Sequence, residues 1–293
     1  MTSPETDVTP SPEPLSFHPP QAAVALDPRR LRRAWQRAEP ETTGAFNKLA
    51  EIDAMLVDRL EMIKIDPQRM LDLGCRTGRV SSLLRARWPQ AKLVTAGLES
   101  SWLARYAGTG SDLCITVESP TLPFANRSFD LVLSGMALHW LGDLNTSLRE
   151  IRRILRPDGL FLAAIPGEST LQELRICLEE LDRRRYGKAW PRVPMLPEIQ
   201  KLGDQMVKAG LALTVVDRIS VEPRFSSVAE LLRTLKQIGG GNHHQQRPPG
   251  LTGKGFALEL AQIYKERFGD KGGLPATLEI LFCHGWKEPA GRG

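Results

Sequence analysis

From Gln68 to Ile165 short apolar runs alternate with amphipathic stretches, and this alternation constrains the fold more than any other feature of the chain. RMLDLG, AKLVTAG, DLCITV, FDLVLSG and GLFLAAI are five runs of strand length, continuous in apolar residues rather than alternating. Between the first two, Thr77 to Trp88 reads as a helix that Pro89 stops, and SSWLAR reads as a second helix. Leu144, Leu148, Ile151 and Leu155 form one stripe of a third helix, closed by the turn Pro157-Asp158-Gly159. Strands that are apolar on both faces, separated by helices, predict an α/β fold: a Rossmann-like, mostly parallel sheet with helices on both sides. Such sheets bind ligands at the carboxyl ends of their strands, near the point where the strand order reverses.

The turn after the first strand, Leu71-Asp72-Leu73-Gly74-Cys75-Arg76-Thr77-Gly78, is where chemistry is expected. Glycines between a strand and a helix let backbone approach a ligand and aim helix N-terminal amides at it. A tight strand-to-helix connection would use the same glycines. The acidic residue before the first glycine, and the lack of a Gly-Lys-Ser/Thr ending, set this loop apart from phosphate-binding loops.

The loop resembles the DxGxGxG motif of class I S-adenosylmethionine-dependent methyltransferases. Glu118 in ESPTLPF resembles the acidic residue that this family directs at adenine, and SFDLVLSGMALHW resembles its fourth strand with the substrate-facing turn. Finer pieces are PRRLRRAWQRAEP, TLQELR, LKQIGGGN with RPPGLTGK, and LPATLEILFCHGWK. They are similar to the malonyl-acyl-carrier-protein O-methyltransferases of biotin biosynthesis, and the similarity runs from about Arg29 to Pro289. It implies a seven-stranded sheet with a helical cap, S-adenosylmethionine as cofactor, and acyl carrier protein or another acidic carrier as partner. It also implies cofactor contacts at Asp72, Gly74, Cys75, Arg76, Gly78, Gly97, Glu118 and Ser134. Candidate substrate contacts are His139 and Trp140 in the turn at the carboxyl edge of the sheet, with a plainer reading of Trp140 as a cap on the core, then Arg175, whose fork suits a carboxylate, and Asn242 and Arg247 in a glycine- and proline-bounded loop. A carboxylate acceptor is already ionised at neutral pH, so the reaction needs no general base. Arg175 has a plainer reading as a surface partner of Glu179 one turn on. His243-His244 reads as a solvated pair rather than a metal site, since no third ligand is nearby.

Four positions depart from the family pattern. Arg76 replaces the middle glycine of the motif, where a side chain points toward the methionine end of the cofactor or grips its carboxylate. Gly97 stands where an acidic residue binds both ribose hydroxyls, a loss on the order of 3 kcal/mol. Thr42 stands for a lid tyrosine and Gly135 for an asparagine. Two classes of function therefore remain open. One is a working methyltransferase with an altered cofactor grip. The other is a degenerate member acting as a binding or regulatory module, partnering an active paralogue. A third reading is the related arginine hydroxylase of mitochondrial complex I assembly, which shares the Leu-His-Trp of residues 138–140.

Composition bounds the rest. No apolar run approaches the roughly 18 residues of a membrane span, and MTSPETDV lacks the basic and apolar regions of a signal peptide. Four scattered cysteines without CxxC indicate neither a disulfide framework nor zinc, and a reducing, cytoplasmic setting is expected. Net charge is +5, mild enough that nucleic acid is not called for. The charge is uneven, however. Residues 1–27 hold acidic residues and proline but no Lys or Arg, and are expected to be a disordered tail. The expected organisation continues with lid helices over 28–66, a cofactor-binding half over 67–168, and a cap insertion with the last strands over 169–293. The lid opens with Arg29, Arg30, Arg32, Arg33 and Arg37 on a short helix whose apolar edge is Leu31 and Trp35.

Overall fold

A computed structural model describes residues 26–38, 44–106, 110–117, 120–248 and 253–289. The expectations for residues 1–25, for Thr42 and for Glu118 lie outside them.

Helix α1 (Pro28–Arg37) starts where its sequence directs: Asp27 caps it by accepting from the Arg30 amide, and Pro28 occupies the first turn. Its edge of Leu31 and Trp35 is buried, and its arginines are exposed. Helix α2 (Gly44–Asp58) buries Leu49, Ile52, Leu56 and Val57 against the sheet, and the stripe runs on to Leu60 in a following 3₁₀ turn.

The alternating half then follows as β1 (Arg69–Leu73), α3 (Arg79–Arg87), β2 (Lys92–Gly97), α4 (Ser100–Tyr106), β3 (Leu113–Thr116), β4 (Phe129–Gly135), α5 (Leu144–Ile154) and β5 (Leu155–Pro166). Helix α3 begins two residues later than the sequence predicts. Gly78 holds φ at +68°, a left-handed conformation that a helix cannot include, so winding starts at Arg79. After β5 come α6 (Gln172–Tyr186), α7 (Ile199–Lys208), β6 (Ala212–Val221), β7 (Arg224–Phe225), α8 (Val228–Gln237), α9 (Lys254–Phe268), β8 (Leu274–Pro275) and β9 (Leu278–Trp286). The sequence reading assigned no element to the α9 segment, although Phe256, Leu260, Ile263 and Tyr264 have helical spacing and are buried.

Seven strands form one sheet in the order β3-β2-β1-β4-β5-β9-β6. The first five are parallel, and β9 runs antiparallel to both β5 and β6. Successive residues of each central strand enter opposite layers: Leu71, Val132 and Phe161 pack on one face, Met70, Leu131 and Leu160 on the other. This is why the central strands are apolar throughout; β3, at the sheet edge, is only half-buried, so its apolar run is not covered on both faces as expected. A third core, built from α6, α8 and α9 around Leu174, Leu181, Leu231 and Tyr264, makes the cap. The strand order reverses between β1 and β4, and the loops leaving these two strands meet there.

Phe161 is fully buried at the centre of the sheet. Phe161→Ala is expected to cost about 3–5 kcal/mol in urea unfolding, whereas a surface-like cost below 1 kcal/mol would contradict the layering.

Candidate functional site

The glycine loop is pinned from below. The amides of Gly74 and Cys75 both donate to the Ala96 carbonyl at the end of β2, at 2.6 and 2.9 Å. Gly74 has φ +89°, and a Cβ there would lie 2.1 Å from that of Ala137. Only glycine permits both the conformation and the contact. Asp72 is buried beneath the loop and accepts from Ser81 Oγ at 2.6 Å, while Ser81 also bonds Thr95 at 2.8 Å. Burial raises the Asp72 carboxyl to about 6. Burial likewise pushes the Cys75 thiol well up, so Cys75 is an inert, packed group.

Arg76 does not point into solvent. Its guanidinium is buried, hydrogen-bonded to the Ile238 carbonyl at the end of α8, with Cζ 4.6 Å from the Trp35 ring and 5.8 Å from the Trp102 ring. Trp102 Nε1 in turn donates to the Trp35 carbonyl at 2.9 Å. Loop, lid helix, α4 and cap are thus joined through one cation and two indoles, an arrangement worth about 0.5–2 kcal/mol for each close stack. Burial lowers the Arg76 pKa to about 10, which leaves it charged at neutral pH.

Asp53, on the buried stripe of α2, faces this guanidinium. It accepts from Thr77 Oγ1 at 2.5 Å, and burial raises its carboxyl to about 7. Gly135 makes room for it: a Cβ at 135 would sit 2.0 Å from Asp53 Oδ1. The departure at position 135 is therefore filled by a carboxylate from a different element.

The loop after β4 closes the ring. Its 3₁₀ turn, Leu138–Trp140, places His139 and Trp140 with ring centroids 4.5 Å apart, and Trp140 lies 5.5 Å from His243. His243 is buried and bonds the Gly239 carbonyl through Nε2, which corrects the expectation of a solvated pair. Desolvation drops His139 to about 3, so it stays neutral. No group of three or more metal-ligating side chains occurs among the described residues.

Unpartnered buried polar atoms gather around this ring: Trp35 Nε1, Asp53 Oδ1, Arg76 Nε, Ser134 Oγ, His139 Nδ1, Trp140 Nε1 and His243 Nδ1. Buried polar atoms are normally satisfied by protein, water or ligand, so this concentration makes the ring the candidate ligand site. Next to it, at the ends of β2 and β3, lies a cavity of about 340 Å³ lined by Arg32, Gln36, Leu98, Glu99, Ser100 and Thr116. Glu99 accepts from Gln36 Nε2 at 3.3 Å and from the Trp102 amide at 3.3 Å. The space along the loop itself, between Asp53, Arg76 and Gly135, is shut, with about 0 Å³ open to water.

The remaining predicted residues are placed elsewhere. Arg175 binds the carbonyls of Glu168 and Thr170 and holds the turn into α6; its Nε lacks a partner, and Glu179 pairs with Arg183 instead. Asn242 donates to Pro191 and accepts from the His244 amide. Arg247 pairs with Asp27 at 3.6 Å, tying the cap loop to the start of α1. At Gly97 a Cβ would lie 2.9 Å from Leu103 Cδ2, so a side chain there requires the Leu103 side chain to give way.

Comparison with known proteins agrees with this geometry. The family described as Methyltransferase domain matches residues 71–163. A malonyl-[acyl-carrier protein] O-methyltransferase of Methylovorus sp. (strain MP688) is 33% identical over 280 residues, covering 92% of each chain. The chain belongs to the class I S-adenosylmethionine-dependent methyltransferase family. A mitochondrial arginine-hydroxylase of Danio rerio is also similar, at 32% identity over 90% of this chain and 84% of its own. Among solved structures, phosphoethanolamine N-methyltransferase 2 of Haemonchus contortus superposes with TM-score 0.55 at 18% identity, covering 88% of this chain and 60% of its own. The YcgJ protein of Bacillus subtilis gives 0.54 at 15%, covering 83% and 99%. These last two speak for the fold alone.

The cofactor of this family fits the groups present. The open cavity with Glu99 suits the adenosine half, and the unpaired atoms of Asp53, Arg76 and Ser134 suit a polar amino-acid end. Admission of the amino-acid end requires the Arg76 side chain to move aside, because the space along the loop is shut. Sequence reading missed Asp53, Trp102 and the Ile238 carbonyl. The first had a signal: Asp53 follows Leu49 by four residues, and is thus an acid on an apolar stripe.

Two outcomes follow. A carboxyl raised on folding keeps in the native state a proton that the unfolded chain has lost, so stability falls as pH climbs from about 4 to about 7. Asp53→Asn should therefore raise Tm little at pH 4 and most above pH 7; equal gains at both would refute the burial of this charge. Gly135→Ala displaces the Asp53 carboxylate, and its cost should shrink by about 1 kcal/mol in an Asp53→Gly background, measured as a double-mutant cycle.

Proposed function

We propose that the chain transfers a methyl group from S-adenosylmethionine to the free carboxylate of a malonyl group carried on acyl carrier protein. The observation carrying this reading is the ring of unsatisfied buried polar atoms beside the glycine loop, at the strand-order reversal of a methyltransferase sheet. The acceptor is drawn from relatives of that name, 33% and 31% identical to this chain. When bound, the cofactor supplies an electrophilic methyl. The protein's own part is to hold, orient and keep dry.

In this reading the loop from Gly74 to Gly78 offers backbone to the cofactor, and Glu99 with Gln36 serves the ribose that Gly97 does not reach. The carboxylate acceptor arrives ionised, and neutral His139 and Trp140 line its place without competing for a proton. Arg29, Arg30, Arg33 and Arg37, exposed on α1 above the cavity, receive the acidic carrier. Long-range attraction of this kind is screened by salt, so KM for the carrier should rise several-fold between 50 and 500 mM NaCl while kcat holds.

The shut loop cavity favours a second reading, a non-catalytic family member that has lost its cofactor and partners an active paralogue. Calorimetry separates the two. Micromolar binding of S-adenosylmethionine, with methyl ester formed on malonyl-acyl carrier protein, supports the enzyme; no heat at millimolar ligand overturns it. Binding without methyl transfer to the carrier retains the cofactor and refutes the acceptor.

A further inference from the structure

An acidic and a basic side chain are buried at the loop and do not satisfy one another. Asp53 is 4% exposed and Arg76 is 5% exposed. They interact through space, yet no ion pair joins them among the described residues, and Asp53 Oδ1 and Arg76 Nε both lack a hydrogen-bond partner. Both line the shut cavity beside Gly74, together with Gly135, whose missing side chain is what admits the Asp53 carboxylate. A buried charge with an unsatisfied atom is costly, and folds retain one where something else pairs with it. A counterpart that matches both in charge is a small group carrying a cation and an anion a few atoms apart, which describes an α-amino acid zwitterion.

We infer that Asp53 and Arg76 form a clamp for the zwitterionic amino-acid end of the cofactor, Asp53 taking the α-ammonium and Arg76 the α-carboxylate. This inference rests on the cofactor reading above and goes beyond it, because it gives the departures at positions 76 and 135 one purpose. Arg76 exchanges a neutral carbonyl, that of Ile238, for a carboxylate, and charge-assisted bonds of this type are about twice as strong as neutral ones. The exchange also frees α8 and α1 from the loop, so that binding and lid movement are one event. Thr77, donating to Asp53, aims the carboxylate. The adenosine half, lying in the cavity lined by Glu99, is untouched by either charge.

Three ligands separate the contributions: S-adenosylmethionine, S-adenosylhomocysteine, which keeps the amino-acid end but has a neutral sulfur, and 5′-methylthioadenosine, which lacks that end. Their Kd values are measured by calorimetry on the wild type, Asp53→Asn and Arg76→Ala. The clamp predicts that each substitution weakens the first two ligands by tenfold or more and leaves 5′-methylthioadenosine within twofold, which also certifies that the variants are folded. Loss for S-adenosylmethionine alone overturns the clamp and assigns Asp53 to the sulfonium. Parallel shifts of all three ligands, or tighter binding by Arg76→Ala, overturn it in favour of a plug that holds the lid. If the wild type binds 5′-methylthioadenosine and S-adenosylmethionine equally, the clamp is absent while the cofactor reading stands. If the wild type binds none of the three, the cofactor reading itself has failed.

Discussion

The close approach of Gly74 to Ala137 governs how the site is assembled. With no Cβ on Gly74, the loops leaving β1 and β4 meet in van der Waals contact at the reversal of strand order. That contact brings Ser134, His139 and Trp140 beside the Gly74–Gly78 loop, though more than fifty residues of chain separate them. A methyl group at position 74 would push the two loops apart and open the floor of the cleft. The second glycine of this kind, Gly135, yields its side-chain volume to Asp53 on α2, so three elements share one small space.

Into that space the fold places more charge than its own hydrogen bonds satisfy. Asp72 is settled by Ser81, but Asp53 and Arg76 each keep an open valence. Burial raises both carboxyls and lowers the guanidinium, the pattern expected where desolvation outweighs the attraction between neighbours. Strongly perturbed groups held in one cleft are characteristic of sites that act on ligands. The indoles of Trp35 and Trp102 cover the cation from the lid side and complete a closed shape. In the proposed clamp, closure and ligand recognition depend on the same arginine.

Relatives with two different activities in their names share this chain's length at similar identity. The sheet therefore does not select the reaction; side chains grafted at its carboxyl edge do.

The strands, the helices around them and the glycine turn were legible in the sequence, because each follows from local rules. Continuous apolar runs specify the central strands covered on both faces, Leu49, Ile52 and Leu56 specify a helix lying on them, and Gly74 with Gly78 specifies a tight turn between strand and helix. The start of α3 falls two residues beyond the pattern for an equally local reason, the left-handed Gly78. Helix α9 was legible too, in the spacing of Phe256, Leu260 and Ile263. Pairing across distance was not legible. Nothing adjacent in the chain reveals that Arg76 ends at the Ile238 carbonyl, that Asp53 fills the gap at Gly135, or that His243 is buried against Trp140. Such contacts depend on which elements the sheet order brings together, and burial then decides their charge states. The sequence by itself determined the sheet and the place of its site. Tertiary packing decided which side chains occupy that site and in what protonation state.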